Sequence, residues 1–148
     1  MSIVPKDWTP TASALFYTDP RAAIDWLGKA FGFEPRIVVD GPNGEVMHSE
    51  LVLGDALVQV ATAGGMPGSE SPKDVGGAYT PSLYVFVADV DAHCERAKSA
   101  GAEIVRELET QHYGDRVYGC LDCEGHPWCF GQRIDDAAWE AAQKDVTG

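Results

Sequence analysis

Two segments of the chain carry the same succession of sequence patterns, and this internal repeat limits what the chain can fold into. Each segment opens with a short run of β-branched and aromatic residues, at 12–18 and at 82–88, which is typical of a strand. Each run is followed by an aspartate suited to cap a helix, Asp19 in the first copy and Asp89 in the second. A unit of this size cannot close a core alone, so the two copies must pack together.

Apolar residues recur at helical spacing after both aspartates, and a glycine ends each stretch, at Gly32 and Gly101. Three strands are predicted after each helix, from short apolar or alternating runs separated by turn residues. The predicted strands are 34–40, 46–53 and 56–61 in the first copy and 103–108, 116–121 and 128–132 in the second. The order strand, helix, three strands therefore occurs twice, which predicts an α+β fold built from two βαβββ modules.

We predict that the whole chain, residues 1–148, forms a single domain. We predict a first module at 10–61, a linker at 62–80, a second module at 81–133 and a helical tail at 134–148. The linker is rich in Gly, Pro and Ser and has no periodicity, so we expect it to be flexible. Its length leaves two arrangements open, because the second module can pack on its own partner module or on that of another chain.

Composition excludes several classes of partner. The 148 residues are 45% hydrophobic, enough for one core, and the net charge of −12 disfavours nucleic acid and anionic membranes. The sequence lacks a signal peptide and any apolar run of membrane-spanning length, so we expect a cytoplasmic protein with no membrane partner. The four cysteines are then expected to be free thiols.

The repeat and its local motifs resemble the vicinal oxygen chelate superfamily, over about residues 10–133. The motifs that carry this resemblance are Asp19-Pro20, Ala23-Ile24-Asp25-Trp26-Leu27, Ala30-Phe31-Gly32-Phe33, Gly44-Glu45-Val46-Met47-His48-Ser49-Glu50-Leu51, Tyr113-Gly114-Asp115-Arg116 and Glu124-Gly125-His126-Pro127-Trp128. The superfamily holds glyoxalase I, fosfomycin-resistance enzymes, extradiol dioxygenases and metal-free bleomycin-resistance proteins. The resemblance implies that the two modules form an open curved mixed sheet around a cavity, whereas it leaves the chemistry open.

The resemblance also implies where a metal would be bound. The matching positions on the first strand of each module are Ala12 and Ser82, and those on the last strands are Gln59 and Cys129. Only the cysteine is a strong ligand for a transition metal. The chain therefore resembles the metal-free, bleomycin-resistance-like branch, and we predict no metal and no cofactor.

A second group has the residue types of a structural zinc site, but its spacing is unfavourable. Its members are Cys120, Cys123, His126 and Cys129. They lie within one tight hairpin, where a four-residue turn at 122–125 would pair Leu121 with His126 and Tyr118 with Cys129. Cys120 and Cys129 would then share a strand face while the other two lie near the tip, so four ligands would not converge.

The hairpin register predicts the side chains that line the cavity. A two-residue turn at Gly54-Asp55 pairs Glu50 with Gln59, and His48 shares their face because side chains two apart on a strand point the same way. The second module is predicted to contribute Arg116, Tyr118 and Cys129. The complete set of predicted ligand-binding residues is Phe16, His48, Glu50, Gln59, Ser82, Tyr84, Phe86, Arg116, Tyr118 and Cys129.

These residues support two functions, of which binding is favoured. In the first, aromatic walls and a few polar groups bind an aromatic or cationic organic molecule, as in antibiotic resistance. In the second, His48 and Glu50 act as an acid/base pair, or recruit a metal, in a lyase, isomerase or dioxygenase. A third interpretation makes both residues structural, bonding strand ends. We expect a homodimer, because each module leaves a sheet edge that must be covered.

Overall fold

The computed structural model describes residues 4–6, 8–78 and 82–147 and shows the predicted α+β fold of two βαβββ modules. Residues 79–81, at the end of the predicted linker and the start of the predicted second module, lie outside the described residues. The strands and α-helices are β1 Ser13–Tyr17, α1 Pro20–Phe31, β2 Glu34–Asp40, β3 Val46–Leu53, β4 Ala56–Thr62, β5 Leu83–Phe86, α2 Val90–Ser99, β6 Glu103–Thr110, β7 Asp115–Leu121, β8 Pro127–Arg133 and α3 Asp136–Thr147. None of the described helices is long and apolar enough to cross a membrane.

The strands form two four-stranded mixed sheets, one in each module. Sheet A has the order β1-β4-β3-β2 and sheet B the order β5-β8-β7-β6. The first strand of each module pairs in parallel with the last, and the other neighbours are antiparallel. In each sheet one face is covered by helices, and we call the opposite face the open face. Strands β1 and β5 are both sheet edges.

Helices α1 and α2 begin where the aspartates predict. The Asp19 carboxylate accepts a hydrogen bond from the Ala22 amide at 3.1 Å, and the Asp89 carboxylate accepts one from Ala92 at 3.0 Å. Gly32 ends α1 with φ 87°, a left-handed conformation that favours glycine. These caps fix the residues at which α1 and α2 begin, shortly after the ends of β1 and β5.

The modules meet through their helix-covered faces and share one core. The Phe31 ring at the end of α1 packs on Phe130 of β8, with 4.7 Å between ring centroids. Trp26 Nε1 donates to the Ala100 carbonyl at 2.7 Å, and His93 Nε2 lies 2.8 Å from the Phe31 carbonyl. Because the helical sides face inward, the two open faces are directed away from the shared core, and the sheets are not closed over one another.

The β7–β8 hairpin differs from the prediction by one residue. Tyr118 pairs with Phe130 and Leu121 with Pro127, so the predicted pairing was wrong. The turn is longer because the Asp122 amide donates to the His126 carbonyl, while the Asp122 carboxylate accepts from the Glu124 and His126 amides, all at 3.0 Å. A shift of one residue moves every side chain of a strand to the other face.

The tip of this hairpin fastens the linker and the first module. The Glu124 carboxylate accepts hydrogen bonds from the Ser71 hydroxyl at 2.6 Å and from the Thr18 and Asp19 amides at 2.8 and 3.0 Å. Ser71 is fully buried, and a short 3₁₀ helix, Pro72–Val75, follows it. The described part of the linker is therefore held against the body of the protein at this point.

Candidate functional site

The open face of sheet A carries the polar wall predicted from the β3–β4 hairpin. The pairs Leu53–Ala56 and Val52–Leu57 confirm the predicted two-residue turn. His48 and Glu50 are adjacent on this face, with His48 Nε2 3.1 Å from Glu50 Oε1. The histidine side chain is 40% exposed, whereas that of the glutamate is 11% exposed. The histidine is thus the member of the pair that a ligand can reach.

Sequence reasoning missed Arg36, which completes this wall. Strand β2 has a bulge here, because Pro35 pairs with Leu51 and Ile37 with Glu50, so that Arg36 is an extra residue. Its guanidinium donates from Nε and Nη2 to Glu50 Oε2 at 2.8 and 2.6 Å. Pro35, which cannot donate to a sheet ladder, was the only signal in the sequence of an irregular strand.

The hydrogen bonds at Glu50 settle its charge. Those from His48 and from Arg36 lower the pKa of the Glu50 carboxyl below its usual range, and they outweigh the opposing effect of burial. The carboxylate is therefore ionised near neutral pH and already paired with a guanidinium. It is therefore not an unpaired negative group that would favour a cationic ligand.

The open face of sheet B carries an exposed pair of aromatic rings on β5. Tyr84 is 45% exposed and Phe86 is 57% exposed, and their ring centroids lie 5.2 Å apart. Cys129, the register partner of Tyr84 on β8, is half-buried beside them. These three predicted residues therefore lie together on one open surface.

The Tyr84 ring is held against the sheet by a glycine and a carboxylate. A Cβ atom at Gly131 would lie 2.9 Å from Tyr84 Cζ, so a larger residue there would displace the end of the ring. The Tyr84 hydroxyl donates to Asp115 Oδ2 at 3.4 Å. Burial, followed by the charge of Asp115, raises the pKa of Tyr84 to about 12, so the hydroxyl remains a donor at neutral pH.

Two predicted cavity residues of β7, Arg116 and Tyr118, lie on the helix-covered face instead, because of the one-residue register shift. Arg116 forms a two-point ion pair with Asp91 at the start of α2, at 3.0 and 2.9 Å. Tyr118 is fully buried and bonds His93 Nδ1 at 2.7 Å. Asp115, the residue before Arg116, lies on the open face instead.

The remaining predicted residues flank the two open faces. Gln59 is half-buried and pairs with Ala14 of β1, and Phe16 on the same strand is half-buried. Ser82 is exposed just before β5. Within the described chain, no hydrogen bond, ion pair or ring contact joins His48 or Glu50 to the aromatic pair of β5. The predicted site residues that lie on the open faces therefore form two groups, one on each sheet, which we call the two half-sites of the candidate site.

A cleft of about 730 Å³ lies between the modules, beside the aromatic pair. It is bounded by the β3–β4 turn on one side and by β5 and the start of α2 on the other. The internal repeat places a corresponding crevice between β1 and the β7–β8 turn. That crevice is filled, because the longer turn contacts the end of β1 with Glu124 and His126. The two-residue turn at Gly54-Asp55 is too short to fill its own crevice in the same way.

Metal-ligating side chains do not gather on either half-site. The described residues contain no group of three or more His, Cys, Asp or Glu arranged to hold a metal. Cys120 lies in the core and Cys129 on the opposite face of sheet B, so the cysteine-rich hairpin does not converge either. His48 and Glu50 supply two donors, and a metal there would have to displace Arg36.

Comparisons with known proteins agree in the fold. A family model described as the glyoxalase/bleomycin resistance protein/dioxygenase superfamily matches residues 10–130. An uncharacterized protein of Mycobacterium bovis is 36% identical over 137 residues, covering 87% of this chain and 86% of that protein. The crystal structure of TioX from Micromonospora sp. ML1 has a TM-score of 0.68 at 34% identity, covering 84% of this chain and 95% of that one. TnmS3, an antibiotic binding protein from Streptomyces sp. CB03234, has a TM-score of 0.64 at 18% identity, covering 90% and 97%.

Proposed function

The chain belongs to the glyoxalase/bleomycin resistance protein/dioxygenase superfamily, and from that premise we propose that it binds a small aromatic molecule without a metal. The observation that carries the proposal is the exposed pair Tyr84 and Phe86 on the open face of sheet B. Exposed neighbouring aromatic rings mark a surface that gains free energy when it is covered. A flat ring stacked on such a pair gains about 0.5–1.5 kcal/mol per contact beyond the burial of its area.

The fold supports the same class of ligand. TnmS3, which shares this fold, is described as an antibiotic binding protein. Many antibiotics contain flat aromatic ring systems of the kind that Tyr84 and Phe86 would stack on. Sequestration of such a compound, and hence antibiotic resistance, is the physiological role that we propose for this chain.

The charges on the two half-sites favour a neutral aromatic over a cation. Glu50 is paired with Arg36 and Asp115 with Arg133, so each carboxylate already has a guanidinium partner. The overall charge of −12 adds only a screened attraction. We therefore revise the expected ligand from an aromatic or cationic molecule to an aromatic one, with charge secondary.

The second wall of the site comes, in this proposal, from another chain. The open faces of sheets A and B point away from the shared core, so one chain cannot close them on each other. In a homodimer the His48–Glu50–Arg36 wall of one chain would face Tyr84 and Phe86 of its partner. This arrangement covers the open faces and gives each dimer two equivalent sites.

A thermal-shift screen tests the proposed function. Neutral aromatics, cationic aromatics and aromatic carboxylates are compared, since a ligand that binds the native state raises the melting temperature by mass action. We expect neutral polycyclic aromatics to stabilise the protein and Phe86→Ala to reduce the shift. Met66→Ala, which removes an equally exposed apolar side chain from the linker, is the control. Stabilisation by none of the three classes would contradict the proposal.

The competing function is acid/base catalysis, and the 3.1 Å contact between His48 and Glu50 is the observation that favours it. A carboxylate bonded to a histidine fixes the tautomer and orientation of the ring. If the protein is an enzyme, His48→Gln abolishes turnover while leaving aromatic binding intact. If it is a binding protein, ligands are recovered chemically unchanged from both wild type and His48→Gln.

A further inference from the structure

We propose that α3 sets the orientation of Tyr84, through Trp139, Arg133 and Asp115, and is thereby a specificity element of the ligand site. The inference rests on the proposed function, because it assigns a role to residues behind that site. Helix α3 lies beyond residue 130, where the match to the family model ends.

Asp115 is the link between the aromatic pair and the rest of the molecule. It is 3% exposed and stands at the start of β7. One carboxylate oxygen accepts from the Tyr84 hydroxyl and the other from Arg133 Nε. A buried carboxylate needs hydrogen-bond partners, so the position of Arg133 determines the oxygen that is presented to Tyr84.

Arg133 is in turn positioned by α3. Its guanidinium carbon lies 4.1 Å from the centroid of the Trp139 ring, within the range of a cation–π contact. Arg133 Nη1 is also 3.9 Å from Asp136 in the first turn of the helix. The arginine is thus held between the sheet carboxylate and an aromatic ring of the helix.

The start of α3 is fastened to the loop that precedes β7. The amides of Ile134 and Asp135 donate to the Gly114 carbonyl at 2.9 and 3.1 Å. Gly114 has φ 94°, and a Cβ atom there would lie 3.3 Å from the Ala138 side chain. The helix therefore packs directly on the residue before Asp115, and helix and carboxylate are positioned together.

The consequence for binding concerns the face of the Tyr84 ring that a ligand meets. With its hydroxyl on Asp115 the ring lies against Gly131, and Phe86 stands beside it. Without Trp139, Arg133 loses its aromatic support and the Asp115 carboxylate is no longer held in one orientation. Tyr84 then loses its preferred hydrogen bond and samples other rotamers, which weakens stacking.

A first experiment reads the orientation of Tyr84 directly and needs no ligand. The protein is labelled with 3-fluorotyrosine, and the ¹⁹F resonance of residue 84 is assigned by its loss in Tyr84→Phe. We expect Trp139→Ala to shift or broaden this resonance, Trp139→Phe to restore it, and Glu140→Ala, an exposed change on the same helix, to leave it unaltered. A residue-84 resonance that is the same in wild type and Trp139→Ala overturns the inference.

A second experiment links the orientation to binding, with 1-aminoanthracene as a fluorescent neutral aromatic probe. We expect Trp139→Ala to raise its Kd about three- to tenfold, as for residues coupled through shared contacts, and to have little effect in a Tyr84→Phe background. Equal losses in both backgrounds would mean that α3 acts independently of Tyr84 and would overturn the inference. Failure of the probe to bind wild type counts against the proposed function, while the ¹⁹F measurement still decides the role of α3.

Discussion

Gly131 is the single residue on which the geometry of the aromatic pair depends most. A methyl group at this position would overlap the Tyr84 ring, so Gly131→Ala must push the ring off the sheet. We predict about a tenfold loss of affinity for an aromatic ligand but little change in the free energy of unfolding, because the displaced atoms are the outer end of a side chain that is 45% exposed and can rotate away. Gly65→Ala, where a Cβ meets open space, is the matched control and should change neither quantity. Unchanged affinity in Gly131→Ala would show that Tyr84 does not contact the ligand.

Arg36 controls the charge preference of the polar wall. Because its guanidinium neutralises Glu50, the wild-type protein should bind a cationic aromatic no better than its neutral analogue. We predict that Arg36→Gln exposes the carboxylate and favours the cation by about two- to fivefold, the range expected for one partly exposed charge pair. Titrations of matched cationic and neutral probes measure the ratio. Arg21→Gln, which breaks the surface pair with Asp40, should leave the ratio unchanged, and a cation preference already present in wild type would contradict the pairing.

At the scale of elements, the sequence predicts strands and helices well and local irregularities poorly. The bounds of β2 and β3 and the turn at Gly54-Asp55 agree with prediction, because alternation and a two-residue turn determine register directly. The β7–β8 turn does not, since the Asp122 side chain binds backbone amides and lengthens it. Arg36 contacts Glu50 only because a bulge makes it an extra residue in β2. Periodicity thus placed most of the candidate residues, and the exceptions, Arg36, Arg116 and Tyr118, depend on a bulge and on a turn shaped by side-chain hydrogen bonds.

Glu124 in the β7–β8 turn leads to a prediction about the stability of the protein at acidic pH. Burial alone would raise the pKa of Glu124, but hydrogen bonds from Ser71 and from the Asp19 and Thr18 amides outweigh it and lower the pKa. The unfolded state therefore takes up this proton first, near the ordinary value of 4.5, and the free energy of unfolding falls as the pH decreases through that region. We predict that Glu124→Gln is less stable than wild type at pH 7 and that the difference narrows towards pH 3. Urea unfolding measures it, and a constant difference would contradict this account.

His93 of α2 leads to a separate prediction, about stability at higher pH. Burial lowers the pKa of His93, whose two ring nitrogens are occupied by Tyr118 and the Phe31 carbonyl. The neutral ring is favoured in the folded protein, so stability falls as the pH drops below the ordinary histidine value of 6.5. We expect His93→Gln to flatten the loss of stability between pH 7.5 and 5.5. An equally steep loss in the variant would assign that titration to other groups.

For the whole molecule, we predict a homodimer in which each chain completes the other's site. Each open face keeps exposed side chains that a second chain would cover, His48 on sheet A and Tyr84 and Phe86 on sheet B. Sedimentation should give a dimer at micromolar concentration, and aromatic ligand should strengthen it if the site lies between chains. A monomer at tens of micromolar that still binds the ligand with full affinity would mean that the half-site on sheet B is sufficient.

The most direct test of the central claim is calorimetric titration of the best neutral aromatic ligand into protein that has been stripped of metal with a chelator. We predict that the stripped protein binds as tightly as untreated protein and that the double variant Tyr84→Ala/Phe86→Ala loses at least about tenfold in affinity, consistent with the loss of two aromatic contacts. Elemental analysis of the same samples should find no stoichiometric metal. Binding that disappears on chelation and returns with one metal per chain, or that is unaffected in the double variant, would contradict the claim.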